Sequence, residues 1–142
     1  MADGFTVTET IAAAPEEVWD YLVDFRNAGQ WMPGIDDMSQ TTPGPVEVGT
    51  NLTFDARGKQ RASQVSDLDP GQRLALTSTQ GGVTATYTYS VAPSDAGTEM
   101  TLHAVCRATG FWKLLHPLIV FAMRKSDGPQ LSNLKAVIEG QG

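Results

Sequence analysis

The sequence predicts an α+β fold in which an antiparallel sheet is followed by a long C-terminal helix. Up to about Ala108, most segments alternate apolar and polar residues, which is the pattern of half-buried strands. From Thr109 onward, apolar residues recur at intervals of three, four and seven, the spacing of one helix face. That helical series comprises Leu114, Leu118, Phe121, Leu131, Leu134 and Ile138.

A strand over residues 5–11 and a helix from Pro15 are the first predicted elements. Proline suits the first helical position, and the acidic residues at positions 16 and 17 favour the positive end of the helix dipole. Gly29 is expected to end this helix, because glycine is common just past a helix C-terminus. The inner stripe of the helix is predicted to comprise Val18, Leu22 and Phe25, with Trp19 beside it.

Six further strands are predicted, with turn residues between them. The stretch from residue 83 to residue 91 alternates most strictly and places Tyr87 and Tyr89 on one face. The Gly81-Gly82 pair suits a two-residue hairpin, and Asp127-Gly128-Pro129 is expected to kink or split the terminal helix. The six predicted strands are residues 35–41, 49–56, 61–68, 73–79, 83–91 and 99–108.

Length and charge limit the classes of function. The 142 residues fit a single domain, residues 1–142, without an internal repeat or a low-complexity linker. The net charge of −6 argues against nucleic acid as a partner, because phosphate binding calls for a basic surface. The short basic cluster of Arg57, Lys59 and Arg61 surrounds Gly58 and is interpreted as the solvated tip of a hairpin.

The sequence also predicts the cellular context. Cys106 is the single cysteine, so no internal disulfide forms and a reducing cytoplasm is expected. The first ten residues lack the basic and apolar regions of a signal peptide. The apolar run over residues 111–123 is shorter than the roughly 20 residues needed to span a membrane, and Lys113 interrupts it. We therefore expect a cytoplasmic protein without stable membrane insertion.

Sequence motifs for catalysis, metals and cofactors are missing. The two histidines and one cysteine lack metal-ligand spacing, so no metal site is expected. Neither a Gly-x-Ser-x-Gly elbow nor a dinucleotide-binding glycine motif occurs, and no cofactor is predicted. The adjacent Asp36 and Asp37 would point to opposite faces of a strand, so they do not make a general acid–base pair. Whether the protein catalyses a reaction is left open.

Five segments spread over the chain match one known family in the family's order: residues 14–20 (APEEVWD), 30–34 (QWMPG), 69–74 (DPGQRL), 97–102 (GTEMTL) and 131–139 (LSNLKAVIE). In these segments the sequence resembles the START-like (SRPBCC) superfamily, and in particular its polyketide cyclase/dehydrase-type members. The resemblance implies a helix-grip fold, in which a curved antiparallel sheet wraps around a long C-terminal helix and leaves a cavity for an apolar ligand. Members bind lipids, sterols, polyketides or hormones, and a minority catalyse cyclisation or dehydration.

Three functions are compatible with the sequence. The leading hypothesis is binding of a small hydrophobic or amphipathic ligand, such as a lipid or polyketide, in the interior cavity. The alternative is a polyketide cyclase or dehydrase, in which Tyr87, Tyr89 and His116 would transfer protons. A third is a protein-interaction module that uses the apolar helix over residues 111–123 as a docking face. The ligand and the oligomeric state are left open. The predicted ligand-binding residues are Trp31, Met32, Phe54, Tyr87, Tyr89, Met100, His116 and Phe121.

Overall fold

The computed structural model describes residues 4–56, 58–80, 82–127 and 129–141 of the chain. Seven antiparallel strands in this part form one sheet, in the order β1-β7-β6-β5-β4-β3-β2. Every predicted strand is present, and the α+β helix-grip architecture is confirmed. The predicted turn residues Arg57, Gly81 and Gly128 lie outside the described residues. The strands are β1 (Gly4–Ile11), β2 (Ile35–Gln40), β3 (Asn51–Ala56), β4 (Lys59–Asp69), β5 (Arg73–Gln80), β6 (Val83–Ser94) and β7 (Gly97–Ala108).

Two irregular positions bend the sheet. The register shifts between Asp36 and Ser39 in β2, and again between Val65 and Asp67 in β4. Asp37, within the first irregularity, has a φ of 52°. A bulge of this kind bends its strand and increases the local twist. The sheet therefore curves, and the helices pack on its inner side.

Four α-helices and two 3-10 turns accompany the strands in the described chain. The C-terminal region is a 3-10 turn followed by two helices, so the predicted interruption around residues 127–129 splits the terminal helix in two. The α-helices are α1 (Pro15–Val23), α2 (Ala28–Trp31), α3 (His116–Asp127) and α4 (Gln130–Gln141), and the 3-10 turns are Phe25–Asn27 and Gly110–Leu115.

The first helix starts as predicted and ends earlier than predicted. It begins at Pro15, and the expected inner residues Val18 and Leu22 are buried. Gly29 does not end it, since α1 stops at Val23 and Gly29 lies inside α2. The Asp24 carboxylate accepts a hydrogen bond from the Arg26 backbone N–H, and this local turn replaces the next turn of the helix.

The two C-terminal helices differ from the single apolar stripe that the sequence predicts. In α4, Leu131, Leu134 and Ile138 are buried, and the helix contacts β1 and α2. The three residues predicted for the first half of the stripe are instead exposed: Leu114 by 79%, Leu118 by 67% and Phe121 by 69%. The prediction that these three residues share one helix face with Leu131, Leu134 and Ile138 is therefore wrong.

The orientation of α3 explains why these side chains are exposed. The inward side of α3 carries Ile119 and Met123, each one or two positions along from the predicted Leu118 and Phe121. One residue turns the helix face by about 100°. Because the helical region is interrupted between α3 and α4, the apolar face of one helix does not continue into the other. Each helix is therefore oriented by its own contacts.

Candidate functional site

A cavity of about 590 Å³ lies between the inner side of the sheet and the C-terminal helices. The link after α2 and strands β2 to β6 form most of its wall, and α3 and α4 close it. Most of the side chains on this wall are apolar. The lining residues are Met32, Pro33, Gly34, Ile35, Met38, Phe54, Ala56, Lys59, Arg61, Ser63, Leu76, Ser78, Val83, Ala85, Tyr87, Tyr89, Ile119, Met123 and Gln130.

Strand alternation and register place these side chains on one face. Along β6, Val83, Ala85, Tyr87 and Tyr89 lie on the same side because successive strand residues point to opposite faces. Directly opposed residues of neighbouring strands share a face. Leu76 of β5 is paired with Tyr87, and it also lines the cavity.

The innermost wall is a hydrogen-bonded and stacked group. The Tyr89 hydroxyl donates a hydrogen bond to Gln130 Oε1 at 2.6 Å, joining β6 to the start of α4. Trp31 meets the Tyr89 ring edge to face, with ring centroids 5.4 Å apart and an interplanar angle of 84°. Tyr89 is 1% exposed and Trp31 2% exposed. These contacts fix the Tyr89 ring, so this end of the cavity is rigid.

Four of the eight predicted ligand-binding residues lie on the cavity wall. They are Met32, Phe54, Tyr87 and Tyr89. Trp31 is one layer further back, where it supports Tyr89 from behind. Met100 points inward as predicted, but it is fully buried in the core and does not reach the cavity. Strand alternation predicted the inward face correctly and gave no information on depth.

His116 and Phe121 are the two predictions that the structure corrects most clearly. The His116 imidazole Nε2 lies 2.8 Å from the carbonyl oxygen of Cys106, at the junction of β7 and α3. It borders a separate concavity of about 250 Å³, lined also by Arg107 and Lys113. Phe121 lies on the outer side of α3. Neither side chain lines the main cavity, because His116 lies against Cys106 of β7 and the cavity face of α3 carries Ile119 and Met123 instead of Phe121.

The structure adds polar wall residues that sequence analysis missed. Arg61 and Lys59 border the cavity, together with Ser63 and Ser78. The interpretation of the basic cluster as a solvated hairpin tip is therefore wrong for Arg61, which is half-buried, whereas Lys59 is exposed at the rim. A signal was present in the sequence. A tight hairpin at Gly58 opposes Phe54 and Arg61, so an inward Phe54 implies an inward Arg61.

Groups with shifted pKa values lie in the scaffold around the cavity. A hydrogen bond from the Arg26 side chain lowers the pKa of Asp24, and one from Arg73 lowers the pKa of Asp67. The pKa of Glu139 is lowered by hydrogen bonds from Lys135 and from the Ala12 backbone N–H. Each carboxylate is thus held in its charged form by its hydrogen-bond donors. The bonds of Asp67 and Glu139 also join separate segments, β4 with β5 and α4 with the end of β1.

Two further tests concern metals and membranes. Among the residues that the structure describes, no three His, Cys, Asp or Glu side chains are grouped closely enough to hold a metal ion. Within the same ranges, no helix combines the length and the apolar character that crossing a bilayer requires.

The sequence of the whole chain decides its family. Residues 3–139 match the model of the family described as polyketide cyclase/dehydrase and lipid transport. The chain belongs to this family. The resemblance to START-like proteins is thereby confirmed. No curated protein sequence matches the chain significantly.

Solved structures share the fold at low sequence identity. Protein MLL2253 from Mesorhizobium loti superposes with a TM-score of 0.77 at 14% identity, covering 97% of this chain and 98% of that one. Protein TTHA0849 from Thermus thermophilus has a TM-score of 0.75 at 19% identity, with coverage of 96% and 97%. DynU16, a protein of the dynemicin biosynthetic locus, has a TM-score of 0.70 at 17% identity, covering 98% of this chain and 48% of that one. At these identities the likeness shows the fold alone.

Proposed function

We propose that the protein binds a small hydrophobic or amphipathic molecule, such as a lipid or a polyketide, in the cavity between the sheet and helices α3 and α4. The observation that carries this proposal is the cavity itself. Its volume of about 590 Å³ falls in the range of about 300–1,000 Å³ typical of small-molecule sites. Its wall is mainly apolar, as such sites are.

The family supports the same function. Its description includes both lipid transport and polyketide cyclisation or dehydration. The cavity is lined from five different strands and two helices, so the sheet holds its shape from many sides. A wall of this kind favours a ligand of defined size, because each strand contributes side chains in fixed positions.

The cyclase or dehydrase alternative has narrower support. It is favoured by the family description, which names polyketide cyclases and dehydrases, and by the phenols of Tyr87 and Tyr89 on the wall. However, the Tyr89 hydroxyl is bonded to Gln130, and the third predicted proton carrier, His116, is outside this cavity. The geometry therefore favours binding as the proposed function. The docking hypothesis for the helix over residues 111–123 stays a prediction.

Filling the cavity tests the proposal. Ala85→Phe places an aromatic ring in the cavity, whereas Thr88→Phe places the same ring on the other face of the same strand. With the neutral fluorescent probe Nile red, we expect Thr88→Phe to bind like the native protein. We expect Ala85→Phe to lose most of the fluorescence increase, because the probe and the new ring compete for one space. Circular dichroism and a melting curve check that both variants fold.

A further control separates the cavity from the exposed apolar face of α3. Leu118→Ser with Phe121→Ser removes two exposed apolar side chains without changing the cavity wall. If the double serine variant still binds Nile red and Ala85→Phe does not, the probe binds in the cavity and not on the exposed face of α3. Unchanged binding in a folded Ala85→Phe would contradict the proposal. Native mass spectrometry of protein purified without detergent then tests for a retained lipid-sized molecule.

A further inference from the structure

The cavity wall carries two cationic side chains at one side. The β3–β4 hairpin pairs Phe54 with Arg61 and Ala56 with Lys59, and all four residues border the cavity. Lys59 is exposed at the rim, and Arg61 follows two residues further along β4 and is half-buried. Two strand residues correspond to about 7 Å. The positive charge thus extends from the rim into the cavity along one strand.

Acidic residues of β2 and β3 lie on the opposite face. Ile35, Ala56 and Lys59 form one row across β2, β3 and β4, and all three line the cavity. The next row, one residue along each strand, consists of Asp36, Asp55 and Gln60. Strand alternation therefore directs these carboxylates outward and the cations inward. Neither Asp nor Glu occurs among the described lining residues, although the chain has a net charge of −6.

The two cations have no carboxylate partner in the described part of the chain. The salt bridges there join Arg26 to Asp24, Arg73 to Asp67 and Lys135 to Glu139, and they do not include Lys59 or Arg61. Arg61 is half-buried beside Phe54 and lines the cavity, so an oxyanion that enters the cavity can pair with its guanidinium.

The neighbouring serines do not provide this positive character. The Ser78 hydroxyl donates to the carbonyl oxygen of Ala62 at 2.6 Å, and the Ser63 hydroxyl donates to that of Thr77 at 3.4 Å. A hydroxyl has a single hydrogen to donate. The positive charge on this wall therefore comes from Arg61 and Lys59.

We propose that the ligand is an amphipathic anion whose carboxylate or phosphate oxygens bind Arg61 and Lys59. Its apolar body extends along Phe54 and Leu76 toward Tyr87 and Tyr89. This assignment rests on the proposed function and specifies the ligand class. The planar guanidinium can give two parallel hydrogen bonds to one oxyanion, and the ammonium of Lys59 adds charge at the rim. The apolar body replaces water against the remaining wall.

Ligands with one chain and different head groups test the assignment. Decanoate, decyl phosphate, decanol and decyltrimethylammonium are titrated against protein saturated with Nile red, and displacement gives their affinities. We expect an anionic head group to bind about tenfold or more tightly than decanol, since charge-assisted hydrogen bonds are about twice as strong as neutral ones. Either anion supports the assignment, and the order of decanoate and decyl phosphate identifies the oxyanion. Decanol or the ammonium compound binding as tightly as both anions would overturn it.

Two variants that each lose one positive charge show whether the preference for anions depends on Arg61. Arg61→Gln and Arg107→Gln each remove one positive charge, but Arg107 is exposed and lies outside this cavity. We expect Arg61→Gln to weaken anion binding about fivefold to tenfold while decanol binding is unchanged, and Arg107→Gln to change neither. Equal anion affinity in a folded Arg61→Gln would refute the proposal. If Arg61→Gln does not fold, Lys59→Gln and Arg61→Lys replace it. We expect each of them to lose less anion affinity than Arg61→Gln would, and unchanged anion affinity in both would refute the proposal.

The two proposals fail in different ways. If neither Nile red nor decanol binds, the proposed hydrophobic site is wrong and head groups are irrelevant. A different outcome is that Nile red and decanol both bind the native protein and fail to bind Ala85→Phe, while anions bind no more tightly than decanol. In that case the cavity is a ligand site, and only the proposal of an anionic ligand is wrong.

Discussion

Helices α3 and α4 are each twelve residues long and adjacent in sequence, yet their apolar residues have opposite environments. Leu131 and Leu134 of α4 are fully buried, whereas Leu118 and Phe121 of α3 are 67% and 69% exposed. Helix α4 contacts α2 and β1 over the solid core, and α3 contributes Ile119 and Met123 to the cavity wall. An apolar helix stripe therefore predicts a helix without predicting that the stripe is covered.

The same contrast divides strand β6 into a packed end and an open end. Tyr89 is 1% exposed and bonded to Gln130 of α4, whereas Tyr87 is half-buried where the wall faces the cavity. The open end is the part of the molecule that can accept a ligand. The buried contacts at the Tyr89 end stabilise the fold, so the Tyr87 end can face an open cavity.

Truncation of the two tyrosines should show the largest difference. We expect Tyr89→Ala to reduce the free energy of unfolding by about 3–5 kcal/mol, because it removes an almost fully buried ring and its hydrogen bond to Gln130 Oε1. Tyr87→Ala should cost about 1–2 kcal/mol, because fewer packing contacts are lost on its open side. Urea unfolding measures both values. Equal costs would show that the cavity is not open at Tyr87, and unchanged Nile red affinity in Tyr87→Ala would remove it from the ligand contacts.

Truncation of one leucine in each helix should have unequal effects on stability. Leu134→Ala in α4 should cost about 2–5 kcal/mol, the usual range for a buried leucine. Leu118→Ala in α3 is the matched control and should change stability by less than about 0.5 kcal/mol, since the side chain is already in solvent. Thermal or urea unfolding of both variants gives the difference. A large loss for Leu118→Ala would mean that a further surface covers α3 in solution.

The smallest expected effect concerns the pH dependence of the α4 attachment. Glu139 Oε2 accepts hydrogen bonds from the Ala12 N–H at 2.9 Å and from Lys135 Nζ at 2.7 Å, and Lys135 Nζ also donates to the Thr10 carbonyl at 2.7 Å. These bonds lower the pKa of Glu139 in the folded protein. The charged carboxylate therefore stabilises the fold above the ordinary glutamate pKa of about 4.3, and this contribution is lost as the pH falls through the lowered value.

The variant Glu139→Gln tests this attachment. We expect it to be less stable than the native protein at pH 7, with a difference that shrinks as the pH falls from about 5 to 3. Glu99→Gln changes the net charge equally at an exposed position of β7 and serves as the control. Melting temperatures across this pH range provide the measurement. A difference that persists at pH 3 would show that the carboxylate charge is not the cause.

Local signals decided most of the fold. Strand alternation and turn residues predicted all seven strands, because each strand shows its two faces in its own sequence. Pro15 set the start of α1, because the proline ring fixes its own backbone angle. The predicted interruption agrees with the end of α3 at Asp127 and the start of α4 at Gln130. The end of α1 was missed, since the Asp24 side chain competes with the helix there.

Periodicity was enough to predict which residues share a face: Tyr87 with Tyr89, Leu131 with Leu134, and Phe54 with Arg61 once the hairpin register is known. The tertiary structure alone decided what each face meets. It left Phe121 in solvent, put Met100 in solid core and placed His116 against Cys106. The reason is that periodicity is a property of one element, whereas burial, cavity and local charge depend on how distant elements are arranged around the same space.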